Sequence, residues 1–471
     1  MFKKILFLLL GILIVSCEKE SFDDIIIDEI NDTSIYNINQ VEFTTHQSGP
    51  FTIKQSFQLL KFEDGWGLQE RNTWDHVHGN INYEYDGEEY LFMSTSAEDL
   101  NGDGAPDIGN PILFKRVSGL WVVLKKFPDV QLRMGRNYDM HTDGVHFVIG
   151  DAPEYKPGYG NGVIGIQSNI YFGKIIKDDI EFTLVNPSNP AWAHDVSIGD
   201  INQDGRLDVL STGDGYRVWY QTSNGSFELD EDKVDYQRNW YSTMTANLAD
   251  LNGDSKLEFI TGVYNFQPDV ELYNNLQLFS MDSLDGIYKK TFQSDNPHEF
   301  IQGEMGAGRI RTHDMDNDGL EDVIVQREGR GINFVSATEI WKNNGNGKFS
   351  RLDIFGSESE ETNGHYGYEI MDINNDGYSD IALIGFHWGS ELRLNPPYVN
   401  KGFILNNLIW LNNGDGTFRK YNSKQLVGGE GFDIQIFYPV KIGNEFLYIG
   451  KSAEDTNDGI ISKIFEIKFQ L

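Results

Sequence analysis

The stretch "DMDNDGLEDVIV", residues 314–325, places acidic side chains at regular intervals just before an aliphatic run. Asp314, Asp316 and Asp318 fall at every second position, Gly319 follows them, and Asp322 comes three residues later. Because Gly permits a sharp bend, the stretch predicts a turn. This turn is either an isolated acidic loop or one copy of a repeated unit. Copies elsewhere in the chain decide between these alternatives.

Four further stretches repeat the pattern: "DLNGDGAPDIG" from Asp99, "DINQDGRLDVL" from Asp200, "DLNGDSKLEFI" from Asp250 and "DINNDGYSDIALIG" from Asp372. Successive copies begin 101, 50, 64 and 58 residues apart. Because the first interval is about two repeat lengths, we expect a unit over residues 131–180 that has lost its loop, with the remnant at 141–151.

A hairpin signature follows three of the loops, at residues 219–230, 341–353 and 410–422. Each consists of two runs of strand-forming residues around an Asn/Gly turn, as in "WLNNGDGTFRKYN". One unit therefore contains a strand, an acidic loop, a second strand, a connection and two more strands. Four antiparallel strands in about 50 residues are typical of a β-propeller blade.

The unit count predicts an all-β, seven-bladed β-propeller over residues 49–471. Acidic loops lie in blades 1, 3, 4, 5 and 6, and blade 2 has none. Residues 432–471 contain three apolar runs, which predict a seventh blade without its outer strand. We expect "FTIKQSFQLLKF", residues 51–62, to supply that strand and close the ring, since closure removes exposed strand edges.

The loops and the "NNGDGTF" turns resemble FG-GAP/VCBS repeats, the units of integrin-α-type seven-bladed propellers. The resemblance covers roughly residues 50–471, with blades 2 and 7 departing from it. It implies that the metal loops share one face of the disc. Ligands would then bind on the opposite face, near the central channel.

The loop chemistry suits calcium, because dense oxygen ligands, mostly carboxylates, favour Ca²⁺ over zinc. We predict about five structural ions, held with a peptide oxygen such as that of Leu320. The alternative is a set of Asx-rich turns without metal. Ser255 and Glu258 replace Gly and Asp in the third loop, which we therefore expect to be the weakest. The predicted side-chain ligands are Asp99, Asn101, Asp103, Asp107, Asp200, Asn202, Asp204, Asp208, Asp250, Asn252, Asp254, Glu258, Asp314, Asp316, Asp318, Asp322, Asp372, Asn374, Asp376 and Asp380.

The N-terminus has the features of an export signal. Lys3 and Lys4 precede an apolar run at 5–15, and the sequence "IVSC" ending at Cys17 resembles the lipobox of bacterial lipoproteins. The resemblance implies a signal peptide at 1–16 and lipidation of Cys17, followed by an acidic tether at 17–48. "CEKE" resembles surface-exported lipoproteins of the Bacteroidetes and implies an outer-membrane location at the cell surface. The alternative is an ordinary secretory signal with an incidental cysteine.

The net charge of -34 disfavours nucleic acid and anionic membrane surfaces as partners. The connections on the face opposite the loops nevertheless bring Arg, His and aromatic residues together. Aromatic rings stack on sugars and Arg clamps carboxylates, so a polysaccharide is the favoured ligand, with other surface glycan-uptake proteins as possible partners. The predicted substrate-binding residues are His76, Trp192, Tyr155, His365, His387, Trp388 and Arg393.

Two functions remain open. The first is cleavage of an acidic polysaccharide by β-elimination, since ulvan lyases on seven-bladed propellers are similar in fold and residue type. The predicted catalytic groups are His194 or His78 as base, Tyr264 as proton donor, and Arg327 or Arg330 as carboxylate clamp. The second is a non-catalytic surface lipoprotein that binds glycans or proteins. We favour the lyase, because clustered His and Arg exceed what stacking alone needs, although the negative charge opposes a polyanionic substrate.

Overall fold

The computed structural model describes residues 35–48, 51–62, 80–93, 110–132, 135–151, 169–188, 193–213, 215–235, 245–262, 276–294, 304–330, 336–356, 365–386, 403–427, 436–456 and 459–470. All of them belong to one compact unit, Ile35–Leu471. Across these residues the chain forms 29 β-strands and no helix. The predicted all-β fold with seven blades is confirmed.

The first four blades are antiparallel sheets of four consecutive strands each. Blade 1 has β3 (Asn80–Tyr85), β4 (Glu88–Met93), β5 (Ile112–Val117) and β6 (Leu120–Lys126); blade 2 has β7 (Gly135–Met140), β8 (His146–Asp151), β9 (Ile170–Ile176) and β10 (Asp179–Leu184); blade 3 has β11 (Ala193–Gly199), β12 (Asp208–Gly213), β13 (Arg217–Gln221) and β14 (Phe227–Asp230); blade 4 has β15 (Thr245–Ala249), β16 (Glu258–Gly262), β17 (Leu276–Met281) and β18 (Tyr288–Gln293).

Blades 5 and 6 repeat this plan, and blade 7 combines strands from both ends of the described chain. Blade 5 has β19 (Glu304–His313), β20 (Asp322–Arg330), β21 (Ser336–Asn343) and β22 (Phe349–Gly356); blade 6 has β23 (His365–Met371), β24 (Asp380–Phe386), β25 (Phe403–Asn412) and β26 (Phe418–Val427); blade 7 has β27 (Ile436–Ile442), β28 (Glu445–Thr456) and β29 (Gly459–Gln470), followed by β2 (Phe51–Phe62) and then β1 (Ile35–Ser48). Blades 6 and 7 also share ladder pairs between β24 and β27.

The predicted pairing of residues 51–62 with the last blade is confirmed. β2 runs antiparallel to β29 from the pair Thr52–Gln470 to the pair Phe62–Ile460. Residues 35–48 were expected to belong to the tether, but they form β1, which pairs with β2 along its length. The difference has a physical cause: main-chain pairing at the edge of a sheet does not require apolar side chains, so a polar composition did not reveal the strand.

Blade 1 corrects the predicted position of one acidic loop. Its first two strands are joined by a tight turn at Asp86 and Gly87, whose positive φ angles of 53° and 77° are those of a type I′ turn. Residues 94–109, which contain the Asp99 motif, connect the second and third strands instead. The expectation that this motif links the first two strands of blade 1 is therefore wrong. The 101-residue interval matched two repeats in length and concealed the shift by one strand.

The hydrophobic core lies between neighbouring blades, where the faces of the sheets meet. One example joins blades 3 and 4: the rings of Phe259 and Phe279 stack 4.7 Å apart, and Tyr216 packs 5.1 Å from Phe259. From blade 2 through blade 7 and on to blade 1, the first strands of successive blades contact each other, so they lie innermost. The links from first to second strands in blades 3 to 6 consequently meet at one face of the disc, called here the loop face.

Candidate metal loops and central channel

Four acidic loops on the loop face, in blades 3, 4, 5 and 6, share one backbone conformation. The first carboxylate accepts hydrogen bonds from peptide N–H groups four and five residues later, as Asp200 does from Asp204 and Gly205 at 3.0 and 2.8 Å. Asp314 and Asp372 accept the same pair of peptide hydrogen bonds in their own loops. Each loop therefore wraps its peptide N–H groups around its own first carboxylate.

The sixth position of each loop has a positive φ, which favours glycine. Gly205, Gly319 and Gly377 adopt it at 84°, 88° and 90°, whereas in blade 4 Ser255 adopts it at 66°. A side chain in this region carries local strain. The geometry agrees with the sequence argument for a weaker third loop, although that ranking stays a prediction.

The ninth position of each loop carries a buried carboxylate, which in blades 3, 5 and 6 ties the loop to the third strand of its blade. Asp380 accepts from the N–H groups of Ile373 and Asn412, both at 2.7 Å. Asp208 and Asp322 make the equivalent pairs of bonds with Ile201 and Gln221 and with Met315 and Asn343. Glu258 instead bonds within its own loop, to the Leu251 N–H and the Asn252 amide, because its longer side chain folds back.

These ninth-position carboxylates fit a bound cation. Burial raises the pKa of Asp208, Asp322 and Asp380 to about 6 and that of Glu258 to about 7. A group whose charged form is destabilised by burial is stabilised by a metal ion beside it. In blade 5, Asp314, Asp316 and Asp322 each offer an oxygen within 4.8 Å of the others, and Asp316 Oδ1 is buried without a hydrogen-bond partner. The donor set is all oxygen, as Ca²⁺ prefers.

The predicted metal ligands are distributed as follows. The sixteen residues of the loops in blades 3 to 6 lie on the loop face. The structure brings the carboxylates of Asp314, Asp316 and Asp322 within 4.8 Å of one another in blade 5, whereas in the other three described loops no set of three carboxylates converges in this way. The four of the first loop, Asp99, Asn101, Asp103 and Asp107, lie outside the described residues.

Two asparagines that the sequence analysis treated only as turn formers join neighbouring blades. The Asn412 side chain donates to the carbonyl oxygens of Met315, in the loop of blade 5, and Ser379, at 2.7 and 3.0 Å. Asn343 likewise donates to Leu251, in the loop of blade 4, and to Glu321. The sequence carries a signal for this contact in the first Asn of the "NNG" motif. A turn alone needs only the Asn-Gly pair that follows, so the first Asn indicates a further role.

A buried charge cluster crosses the central channel. Arg311 of blade 5 lies 3.3 Å from both carboxylate oxygens of Asp195 in blade 3 and donates to the Tyr138 carbonyl of blade 2 at 2.7 Å. Asp195 is fully buried and also accepts from the Thr245 hydroxyl at 2.5 Å. Arg309 pairs with Glu369 of blade 6 at 3.0 Å. Ion pairs therefore connect blade 5 to blades 3 and 6 across the centre of the propeller.

A second carboxylate of the cluster, Asp139, accepts from the Ser197 hydroxyl at 2.6 Å and from the Ile198 N–H at 3.0 Å. Burial raises its pKa above the ordinary value, although Arg311 and these donors favour the charged form. Sequence reasoning missed this cluster because its members belong to separate repeats.

The predicted catalytic and substrate-binding residues are only partly described. His194 lies in β11 and is 1% exposed, and its carbonyl accepts from the Asn137 amide at 2.6 Å. Arg327 and Arg330 lie on the half of β20 remote from the loop, paired with Ala307 and Glu304. His365 begins β23. The others lie outside the described residues: His76, His78, Tyr155, Trp192, Tyr264, His387, Trp388, Arg393 and the predicted lipidation site Cys17.

The repeats define the class of protein. The FG-GAP-like repeat family matches residues 200–261 and 314–383, which span the loops of blades 3 to 6 and the strands around them. The chain therefore contains FG-GAP-like repeats and folds as a seven-bladed β-propeller. Within the described residues, no helix is long and apolar enough to cross a bilayer.

Three solved structures align with most of this chain, at low sequence identity and with TM-scores below 0.5. Pseudomonas aeruginosa periplasmic gluconolactonase is 14% identical, with 86% of this chain and 99% of that chain covered and a TM-score of 0.43. Trypanosoma rangeli sialidase is 8% identical, with 92% and 60% covered and a TM-score of 0.41. The Vibrio cholerae biofilm matrix protein Bap1 is 10% identical, with 85% and 90% covered and a TM-score of 0.31. No curated protein matches the chain at a significant level.

Proposed function

We propose that this protein is a calcium-stabilised propeller whose acidic loops each hold one Ca²⁺. The observation that carries the proposal is the loop of blade 5, where oxygens of Asp314, Asp316 and Asp322 lie within 4.8 Å of one another and Asp316 Oδ1 is buried without a hydrogen-bond partner. The raised pKa values of the buried ninth-position carboxylates support it, because a bound cation would reverse this effect of burial. With the loop of blade 1, about five ions would bind, as the sequence predicts. Bound calcium supplies positive charge at the loops, and the chain supplies carboxylate and peptide oxygens.

Calorimetry tests this proposal. Addition of EDTA should lower the melting temperature markedly, and Ca²⁺ should restore it more effectively than Mg²⁺, which fits large flexible oxygen sites poorly. Asp372→Ala should remove one ion from the stoichiometry. Asp232→Ala, in an exposed turn outside the loops, should leave the stoichiometry unchanged. A melting temperature that does not respond to EDTA would rule the proposal out.

We further propose that the face opposite the loops acts on an acidic polysaccharide by β-elimination. A base takes the C5 proton of a uronate, the C4–O bond breaks, and the leaving oxygen receives a proton, leaving a C4–C5 double bond. Arg327 or Arg330 would hold the carboxylate, and Tyr264 would donate the proton. β20 supports this assignment, because it carries both arginine positions to the end remote from the calcium loop. The burial of His194 makes His78 the stronger candidate for the base.

Binding without catalysis is the alternative, because a glycan- or protein-binding surface needs only Arg and aromatic groups. Incubation with ulvan and other uronate glycans, followed at 235 nm, separates the two. The double variant Arg327→Ala with Arg330→Ala should abolish the absorbance rise, whereas Arg419→Ala, at an exposed position of β26, should not. Retention on a glycan affinity gel with no absorbance rise would favour the binding protein and exclude the lyase.

We also propose that Cys17 is lipidated and anchors the protein to the outer membrane at the cell surface, beside other glycan-uptake proteins. The support is the lipobox-like "IVSC" sequence after a basic and apolar leader. Cys17→Ser should move the protein from the membrane fraction to the soluble fraction and abolish incorporation of labelled palmitate. Unchanged fractionation of this variant would contradict the anchor.

A further inference from the structure

The acidic loop of blade 5 differs from the others in one ligand and in one neighbour. Its third position is Asp316, where the loops of blades 3, 4 and 6 have asparagine. The ammonium group of Lys342, on β21, contacts Asp316 Oδ2 and lies 2.8 Å from Asp318 Oδ2. This loop therefore carries one extra carboxylate and, on the adjacent strand, one lysine that contacts it.

Among the four described loops, only that of blade 5 combines a carboxylate at the third position with a lysine on the third strand. In blades 3 and 6, Tyr220 and Leu411 occupy the place of Lys342, one residue before the N–H that binds the ninth-position carboxylate. In blade 4, the register of β16 and β17 gives this place to Ser280. None of these side chains carries charge. Arg206 in blade 3 contacts the fifth-position Asp204 but belongs to the loop itself.

The two oxygens of Asp316 have different environments. Oδ2 contacts the ammonium group, whereas Oδ1 is buried and has no hydrogen-bond partner. The Asp316 side chain is only 11% exposed, so its negative charge is poorly solvated. A single nearby cation stabilises such a group far more than it stabilises an exposed carboxylate. Lys342 supplies this cation from the chain itself.

We propose that Lys342 is an internal counter-ion that holds the blade 5 loop in its folded form without metal, which makes this loop the least calcium-dependent of the four described. The inference rests on the proposed calcium binding, and it makes Lys342 a positioning residue rather than a ligand. In the other three described loops, the place of Lys342 on the third strand holds an uncharged side chain. Lys441 of β27 approaches the blade 6 loop, but it contacts the Asp372 carbonyl oxygen and not a loop carboxylate. Blade 5 would therefore keep its loop ordered when calcium is scarce.

The test is thermal unfolding of the full chain in EDTA and in saturating Ca²⁺. Lys342→Met should lower the melting temperature by about 1–3 °C in EDTA and by much less in calcium, because the metal replaces the lost charge. The double variant Lys342→Met with Asp316→Asn should recover the EDTA value, since it recreates the charge pattern of blade 6. Lys348→Met, at an exposed lysine of the same blade, is the matched control and should change neither value.

The outcomes are separable. An equal loss in EDTA and in calcium, or a loss that Asp316→Asn does not repair, would overturn the counter-ion and leave only a packing role for Lys342. No loss in either condition would overturn it as well. If the wild-type protein does not respond to calcium, the proposed calcium binding fails, while a loss in EDTA repaired by Asp316→Asn still supports the counter-ion.

Discussion

At the scale of single residues, the asparagine that opens each "NNG" turn connects one blade to the loop of the blade before it. Asn412 is 1% exposed and uses its whole amide group: it donates to Met315 and Ser379 and accepts from the Gly414 N–H at 2.9 Å. Its removal would leave buried peptide groups without partners, which is costly.

Asn412→Ala should lower the free energy of unfolding by about 2–3 kcal/mol, the cost of leaving buried carbonyl groups unpaired. The next residue offers a matched control. Asn413 is exposed and bonds only within its turn, to Thr417, so Asn413→Ala should cost less than about 0.5 kcal/mol. Urea denaturation of both variants in calcium measures the difference. Similar losses for the two would contradict the inter-blade role of Asn412.

At the scale of elements, the sequence predicted the repeated strands and their turns, but it did not predict which strands of blade 1 the acidic loop connects. Periodicity predicted the strands of blades 3 to 6, because each acidic loop and each Asn/Gly turn has a fixed place within the unit. In blade 1 the turn at Asp86 and Gly87 takes the place of the loop. That Asp-Gly pair, flanked by strand-forming residues, was the overlooked hairpin signal.

The stability of the calcium-free protein and its affinity for calcium should change with pH in opposite directions. Their buried carboxylates have folded-state pKa values of about 6 to 7, above the ordinary values of 3.8 and 4.5, so the calcium-free folded state binds extra protons. The stability of the calcium-free protein should therefore fall as the pH rises through this window. Calcium affinity should instead increase, because the ion competes with those protons.

Titration calorimetry at pH 5.5 and 7.5 measures this coupling. Calcium should bind more weakly at the lower pH and release protons, and the released protons appear as a dependence of the heat on the buffer. Thermal unfolding in EDTA gives the complementary trend. Equal calcium affinities at the two pH values would contradict the assignment of these carboxylates as ligands.

The N-terminal hairpin provides a second prediction at this scale. We expect β2 to close the ring, since β29 would otherwise present a free edge. A chain that starts at residue 63 should melt at a lower temperature and associate through that edge. A chain that starts at residue 35 retains β1 and β2 and serves as the control. Light scattering and calorimetry compare them, and a monomeric truncated chain with unchanged melting temperature would refute closure by β2.

At the scale of the whole molecule, the charge cluster in the channel links blades that are not neighbours. Arg311 in blade 5 reaches Asp195 in blade 3 and the Tyr138 carbonyl in blade 2. No repeat pattern could have predicted this contact, because the residues are 116 positions apart and differ from their counterparts in other blades. The number of blades was predictable from periodicity, whereas contacts across the axis depend on single side chains.

Arg311→Met should destabilise the protein by about 3–5 kcal/mol, because it leaves the fully buried Asp195 without its cation. The double variant with Asp195→Asn should recover part of the loss, since the orphaned charge is removed as well. Arg419→Met, at an exposed position of β26, should have an effect within about 0.5 kcal/mol. Calorimetry of the three variants measures these changes in stability. If the double variant is no more stable than Arg311→Met, loss of the ion pair does not explain the destabilisation.

The pairing of β2 with β29 also sets the order of events during synthesis. About 400 residues separate these strands, and ribosomes add roughly 5–20 residues per second. The β1–β2 hairpin must therefore wait for tens of seconds before its partner strand emerges. Throughout this time its long edge is available to other chains, a recognised route to misassembly. A propeller whose last blade combines strands from both ends of the chain therefore exposes an unpaired strand edge for longer during synthesis than one whose last blade comes from a single end.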